Sequence, residues 1–163
     1  MKSKEHGFTL IEMVVVLVLI SIIAATVFTR SITTDQINFV GEADKIRNHI
    51  RYAQSMAMKK NVMWGIKCSS NMYWLFKYEN SGDQDTALEL PGQENAKISL
   101  SDLGITMDSF TVFFDRLGVP YKTSPTVPVR PDNELTIDIA SIADPSRTRT
   151  LAITPETGLI ITQ

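Results

Sequence analysis

The sequence predicts an α+β fold in which one long N-terminal helix packs on an antiparallel β-sheet or β-sandwich. Two changes of period along the chain predict it. An apolar run from Phe8 to Phe28 passes into a stripe of apolar residues at spacings of three and four. After Lys60 the pattern turns to alternation by two, in short runs separated by Gly, Pro, Asn and Asp.

The apolar run sets the first element. From Phe8 to Phe28 there are 21 residues, and Glu12 is the only charged one. At about 1.5 Å per residue this is roughly 31 Å of helix, the thickness of a hydrocarbon core, so 8–28 reads as a transmembrane helix. Lys2 and Lys4 precede it and no basic cluster follows Arg30. That asymmetry puts the N-terminus in the cytoplasm and the body of the chain across the membrane. A secretory signal peptide cut near Ala24 and Ala25 is the competing reading, but the apolar region exceeds the usual length and contains an acid.

Beyond the span, Phe39, Ala43, Ile46, Ile50, Ala53 and Ala57 form one helical face, with Glu42, Asp44, Lys45, Arg47, Asn48 and Arg51 largely off it. The small alanines favour packing against a sheet over a coiled-coil seam. The simplest account is one helix from about Phe8 to Lys59, with Thr33-Thr34-Asp35 as the point where it could break.

Then Val62, Trp64, Ile66 and Cys68 alternate with Met63, Gly65 and Lys67, and after Ser69-Ser70-Asn71 the residues Met72, Trp74, Phe76 and Tyr78 alternate with Tyr73, Leu75 and Lys77. This predicts a β-hairpin with an aromatic-rich face. Cys68, in phase with Trp64 and Ile66, reads as a small buried hydrophobe. Residues 79–95 read as a solvated acidic loop; Asp83, Asp85 and Glu89 do not have the spacing of a calcium loop. Strands are expected near Lys97–Leu100, Ile105–Met107 and Phe110–Phe114, then a proline-rich loop over 118–133, then a strand through Leu135, Ile137 and Ile139. Arg149–Thr154 and Leu159–Thr162 close the chain as a hairpin about Pro155-Glu156-Thr157-Gly158.

Composition narrows the function. The chain of 163 residues has a net charge of −2, which is no electrostatic footprint for nucleic acid. Outside the span it is long enough for one domain with its own core. A lone Cys68 excludes an intramolecular disulfide. No nucleophile, base or phosphate-loop motif occurs, and His49 reads as a surface helix residue. The expectation is a protein that is not an enzyme and needs no cofactor or metal.

The polar leader Met1–Gly7, the Gly7-Phe8 junction, and an acid four residues later within an apolar run resemble the class III signal of type IV pilins and type II secretion pseudopilins. The resemblance implies a leader of residues 1–7 removed by prepilin peptidase after Gly7, an N-methylated Phe8, and Glu12 paired with the free amine of a neighbouring subunit. It places the chain in a bacterial inner membrane as a single-pass protein, with residues 29–163 as a periplasmic pilin-like domain. Arg51-Tyr52-Ala53-Gln54-Ser55, Phe114-Asp115-Arg116-Leu117-Gly118 and Ile153-Thr154-Pro155-Glu156-Thr157-Gly158 are similar to the GspH/FimT pseudopilin family. The function this implies is that of a minor pseudopilin of a type II secretion system. Its partners would be other major and minor (pseudo)pilins, prepilin peptidase, the inner-membrane assembly platform and inner membrane lipid. The alternative is a minor, FimT-like pilin that primes a type IV pilus or aids DNA uptake, in which case Arg147 and Arg149 would contact DNA.

Overall fold

The computed structural model describes the backbone of residues 9–79, 85–124 and 127–163, and all of their side chains except those of 27–37, 124 and 127. The leader, Gly7 and Phe8 lie outside the described residues, as does Asp83. The chain divides into two compact units, one ending at Asn38 and one spanning Phe39–Gln163.

Helix α1 is Leu10–Lys60, 51 residues, and its backbone remains helical through Thr33-Thr34-Asp35. It ends as expected of a run without proline. Asn61 takes a left-handed conformation (φ 56°) and its N–H donates to the Ala57 carbonyl at 3.1 Å. In the first unit, large apolar side chains from Leu10 to Ile23 stand exposed around the helix. Among the described residues no helix is long and apolar enough to cross a membrane.

In the second unit the strands are β1 (Met63–Ser69), β2 (Met72–Tyr78), β3 (Lys97–Ser99), β4 (Ile105–Met107) and β5 (Phe110–Phe114). They continue with β6 (Pro120–Ser124), β7 (Val127–Val129), β8 (Leu135–Ser141), β9 (Thr148–Ile153) and β10 (Ile160–Thr162). They form two antiparallel sheets, one of order β3-β2-β1-β5-β6-β7 and one of order β10-β9-β8-β4. The β1–β2 hairpin turns on Ser70 and Asn71, both at positive φ, as a two-residue turn matched to strand twist requires.

The predicted stripe of α1 is the centre of the core. Phe39, Ala43, Ile46, Ile50, Ala53 and Ala57 are all buried, packed with Ile66, Tyr73, Leu75 and Val112 of the larger sheet and Ile139, Leu151 and Ile153 of the smaller. The other face of the larger sheet holds its own aromatic cluster of Trp74, Phe76 and Phe113. Tyr121 stacks on Phe113 at 5.6 Å, and Lys97 Nζ lies 4.5 Å from the Trp74 ring centre. The sheet is thus covered on both faces, which is why β2 is buried at four successive positions and does not simply alternate.

Two expectations are corrected. The stretch expected as a proline-rich loop contains β6 and β7. Proline is tolerated there because Pro120 opens β6 and Pro128 sits in the edge strand β7. The segment expected as a solvated loop is anchored: Leu88 N–H donates to the Leu75 carbonyl at 2.8 Å, Leu90 is buried in the core, and Asp85 is ion-paired with Lys67.

Gly65 permits the aromatic cluster. A Cβ there would lie 2.4 Å from the Val112 carbonyl oxygen, 2.6 Å from Phe113 Cβ and 2.7 Å from the Phe76 ring. Gly65→Ala is expected to destabilise the chain by about 1–3 kcal/mol, the cost of overpacking a filled site. Gly41, within α1 and with nothing within 4 Å of its Cβ position, is the control. Gly41→Ala is expected to stabilise by about 0.5–1 kcal/mol. Denaturant unfolding of the two variants checks both signs.

Candidate functional site

The N-terminal end of α1 is built by Thr9 and Glu12. Thr9 is the N-cap: its hydroxyl accepts from Glu12 N–H at 3.3 Å, and Glu12 Oε2 accepts in return from Thr9 N–H at 3.5 Å. This reciprocal capping box satisfies two of the backbone donors that a helix start leaves open. It also holds the carboxylate at the positive end of the helix dipole. Glu12 is exposed and remains within reach of a cation from outside the chain. The Thr9-x-x-Glu12 spacing carried this signal, and sequence reasoning missed it. Gly7 and Phe8, the expected cleavage junction, lie outside the described residues.

Residues 51–55, 114–118 and 153–158 come together in space. Gln54 on α1 donates from Nε2 to the Gly118 carbonyl at 2.9 Å and to the Thr157 carbonyl at 3.1 Å. One amide therefore joins the helix to the β5–β6 turn of the larger sheet and the β9–β10 turn of the smaller. The first turn is shaped by Asp115, whose Oδ1 accepts from Leu117 N–H at 2.8 Å and Val119 N–H at 3.0 Å. The second closes with Gly158 N–H donating to the Thr154 carbonyl at 2.9 Å. Gly158 is required twice over: its φ is 66°, and a Cβ would lie 2.5 Å from both Gln54 Nε2 and the Gly118 oxygen.

The two arginines proposed for DNA contact are both ion-paired within the chain. Arg147 Nε is paired with Asp144 at 3.0 Å, and Arg149 reaches Asp44 on α1 at 3.7 Å. Each guanidinium thus has a carboxylate beside it. The Asp144 carboxyl is held below its usual range, chiefly by the Ser146 hydroxyl and then by the Ser146 N–H.

Cys68 is buried, and burial with the nearby Asp108 carboxylate pushes its thiol up to about 11, the behaviour of a packed hydrophobe. His49 corrects the sequence reading. It is buried, not a surface residue, and its Nδ1 lies 3.0 Å from the hydroxyl of fully buried Tyr73. The stripe hid this, because periodicity assigns His49 to the flank of α1 and cannot foresee that residues near Pro91 cover that flank. Among the described residues no group of three or more His, Cys, Asp or Glu side chains could hold a metal.

Gln54→Ala leaves two turn carbonyls without their donor and is expected to cost about 1–2 kcal/mol. Gly158→Ala adds a left-handed alanine and a steric conflict, and is expected to cost about 2 kcal/mol or more. Thermal unfolding of both variants, read against Gln54→Glu, tests the geometry. The carboxylate cannot donate to either carbonyl and should be at least as damaging as alanine.

Residues 2–28 match the family described as the prokaryotic N-terminal methylation motif. No curated protein and no solved structure matches the chain. The matched segment contains the Gly7-Phe8 junction, Thr9 and Glu12, and it runs into the apolar part of α1. Its motif implies processing by prepilin peptidase, N-methylation and assembly with other pilins. Over those residues the chain carries the N-terminal signal of type IV pilin-like proteins, the class that comprises pilins and pseudopilins.

Proposed function

We propose that the chain is a minor pseudopilin of a type II secretion system, assembling through its N-terminal helix into the pseudopilus that drives folded proteins across the outer membrane. The observation that carries this reading is the methylation motif over residues 2–28. It leads directly into a helix whose second half is the spine of a folded domain. The meeting of the three GspH/FimT-like motifs at Gln54 supports the minor class, since the similarity then lies in one structural unit.

The role is structural and not catalytic. Prepilin peptidase cuts after Gly7, Phe8 becomes the methylated N-terminus, and residues 8–28 span the inner membrane before assembly. The exposed apolar side chains from Leu10 to Ile23 supply the surface for lipid and, later, for neighbouring subunits. Glu12 then has a specific task. A carboxylate within a membrane helix costs about 2.5–3.5 kcal/mol. Pairing with the α-amine of a neighbour at about 4 Å returns about 4 kcal/mol at an effective dielectric near 20. A lone subunit keeps an uncompensated charge, and assembly in register relieves it. The periplasmic domain would be presented by the filament, beside other minor pseudopilins.

Deleting the chain is expected to remove secreted enzymes from the culture medium and to trap them in the periplasm, with recovery on complementation. An unchanged exoproteome would transfer the chain to a type IV pilus. Glu12→Ala should leave the domain folded and inserted while reducing incorporation into the filament. Gly7→Val should leave the chain unprocessed, which mass spectrometry reads as retention of the leader. Normal incorporation of the first variant would end the pairing reading, and normal processing of the second would end the peptidase assignment.

A further inference from the structure

His49, Tyr73 and the segment Ala87–Pro91 form a cluster that pilus assembly does not use. His49 lies on the flank of α1. Tyr73 comes from β2, which is hydrogen-bonded to β1 on one side and β3 on the other. The segment after β2 crosses the flank of the helix as a strap. It is attached by the Leu88–Leu75 bridge and by Leu90 in the core, and its Pro91 lines the same groove as the imidazole. We propose that this cluster is an acid-released strap: protonation of His49 detaches Ala87–Pro91 from α1 while the two sheets stay folded.

In the proposed resting state His49 is neutral, in the tautomer that accepts at Nδ1 from the Tyr73 hydroxyl, 3.0 Å away. A proton added at Nδ1 turns that acceptor into a donor, and the Tyr73 hydroxyl must then give its own hydrogen elsewhere. Tyr73 is fully buried, and burial pushes its phenol above the ordinary value, so it cannot shed the proton.

The charges around the ring do not rescue the imidazolium. On α1, Glu42 favours it but is ion-paired with Lys45 at 2.8 Å, and Lys45 opposes it. Asp44 is shared between Arg47 at 3.5 Å and Arg149 at 3.7 Å. Tyr73 on β2 is neutral, and so is Cys68 on β1. From the strap, the Pro91 carbonyl favours the cation, but burial outweighs it and the ring's pKa is lowered. Water reaches the ring by way of an open groove of about 450 Å³ lined by Gly41, Asp44, Lys45, Asn48, Tyr52 and Pro91. Moving Pro91 outward would widen that groove and hydrate the cation. The strap gives way before β2 does, because it has one bridge where β2 has a seven-residue ladder to β1 and a three-residue ladder to β3.

The sign follows. A folded-state pKa below the ordinary histidine value means that the unlatched chain takes up the proton first as pH falls. The stabilisation is complete above the ordinary value and is lost as pH falls towards the lowered one.

The test is hydrogen exchange of the full chain in detergent, with exchange expressed as protection relative to the unstructured rate. Between about pH 7.5 and about pH 5 the Leu88 and Gln93 amides, which donate to Leu75 and Leu90, should lose protection while amides of β1 and β5 keep theirs. His49→Gln, which has no titrating group, should abolish the pH dependence. Should that variant fail to fold, the wild-type chain still decides: the His49 ring resonances and strap protection must titrate with one midpoint. Strap protection that ignores the ring's titration, persists in its pH dependence without His49, or disappears together with β1 and β5 would overturn the proposal.

Discussion

Burial of the α1 stripe from Phe39 to Ala57 is the interaction on which the rest of the domain depends. A single helix in water lacks the means to hold its shape, and here stability comes from tertiary packing of one face. Ala43, Ala53 and Ala57 keep that face low, so both sheets can approach it, and Ile46 and Ile50 fill the space between them. The larger sheet needs a second cover, because its outer face carries Trp74, Phe76 and Phe113. Gly65 opens room for those rings, and the segment after β2 supplies Ala87 against them before turning Leu88 and Leu90 towards the main core. One segment thus serves both hydrophobic clusters, which explains why a stretch rich in Asp and Glu is ordered where it is.

Much of this was legible. A helix face with a 3.6 period and strands with a 2.0 period are direct consequences of side-chain direction, and α1, β1, β2, β5 and β8–β10 follow from them. The misses share a physical cause. β6 and β7 were hidden by Pro120 and Pro128, whose cost depends on whether a strand is central or at an edge, and edge position is a property of the assembled sheet. His49 was misread because amphipathicity describes a helix against one partner, whereas α1 has a second cover near Pro91. Nor does local pattern announce that Gln54 will bridge carbonyls 64 and 103 residues further along the chain. Resemblance marked all three motifs, but only the fold explains their company.

The Gln54 junction also gives the two sheets a common reference. Each hangs on α1 through apolar contacts, which are strong but not directional. Hydrogen bonds from one planar amide to two turns fix where the ends of β5 and β9 stand relative to the helix. The same helix that carries Gln54 also carries part of the matched N-terminal signal.

The first unit of α1 presents the opposite situation. Leu10, Ile11, Leu17, Ile20 and Ile23 are exposed, and on the proposed assembly reading their burial comes from lipid and then from neighbouring subunits. At its start, the capping box with Thr9 already occupies Glu12. The carboxylate is therefore not idle before a partner arrives: it completes the helix terminus and is aligned along the dipole. On the proposed assembly reading, a neighbouring amine then adds a charge to an acceptor that is already oriented. The entropic cost of fixing a flexible glutamate has been met by the helix itself, which leaves more of the roughly 4 kcal/mol of pairing energy available for choosing register.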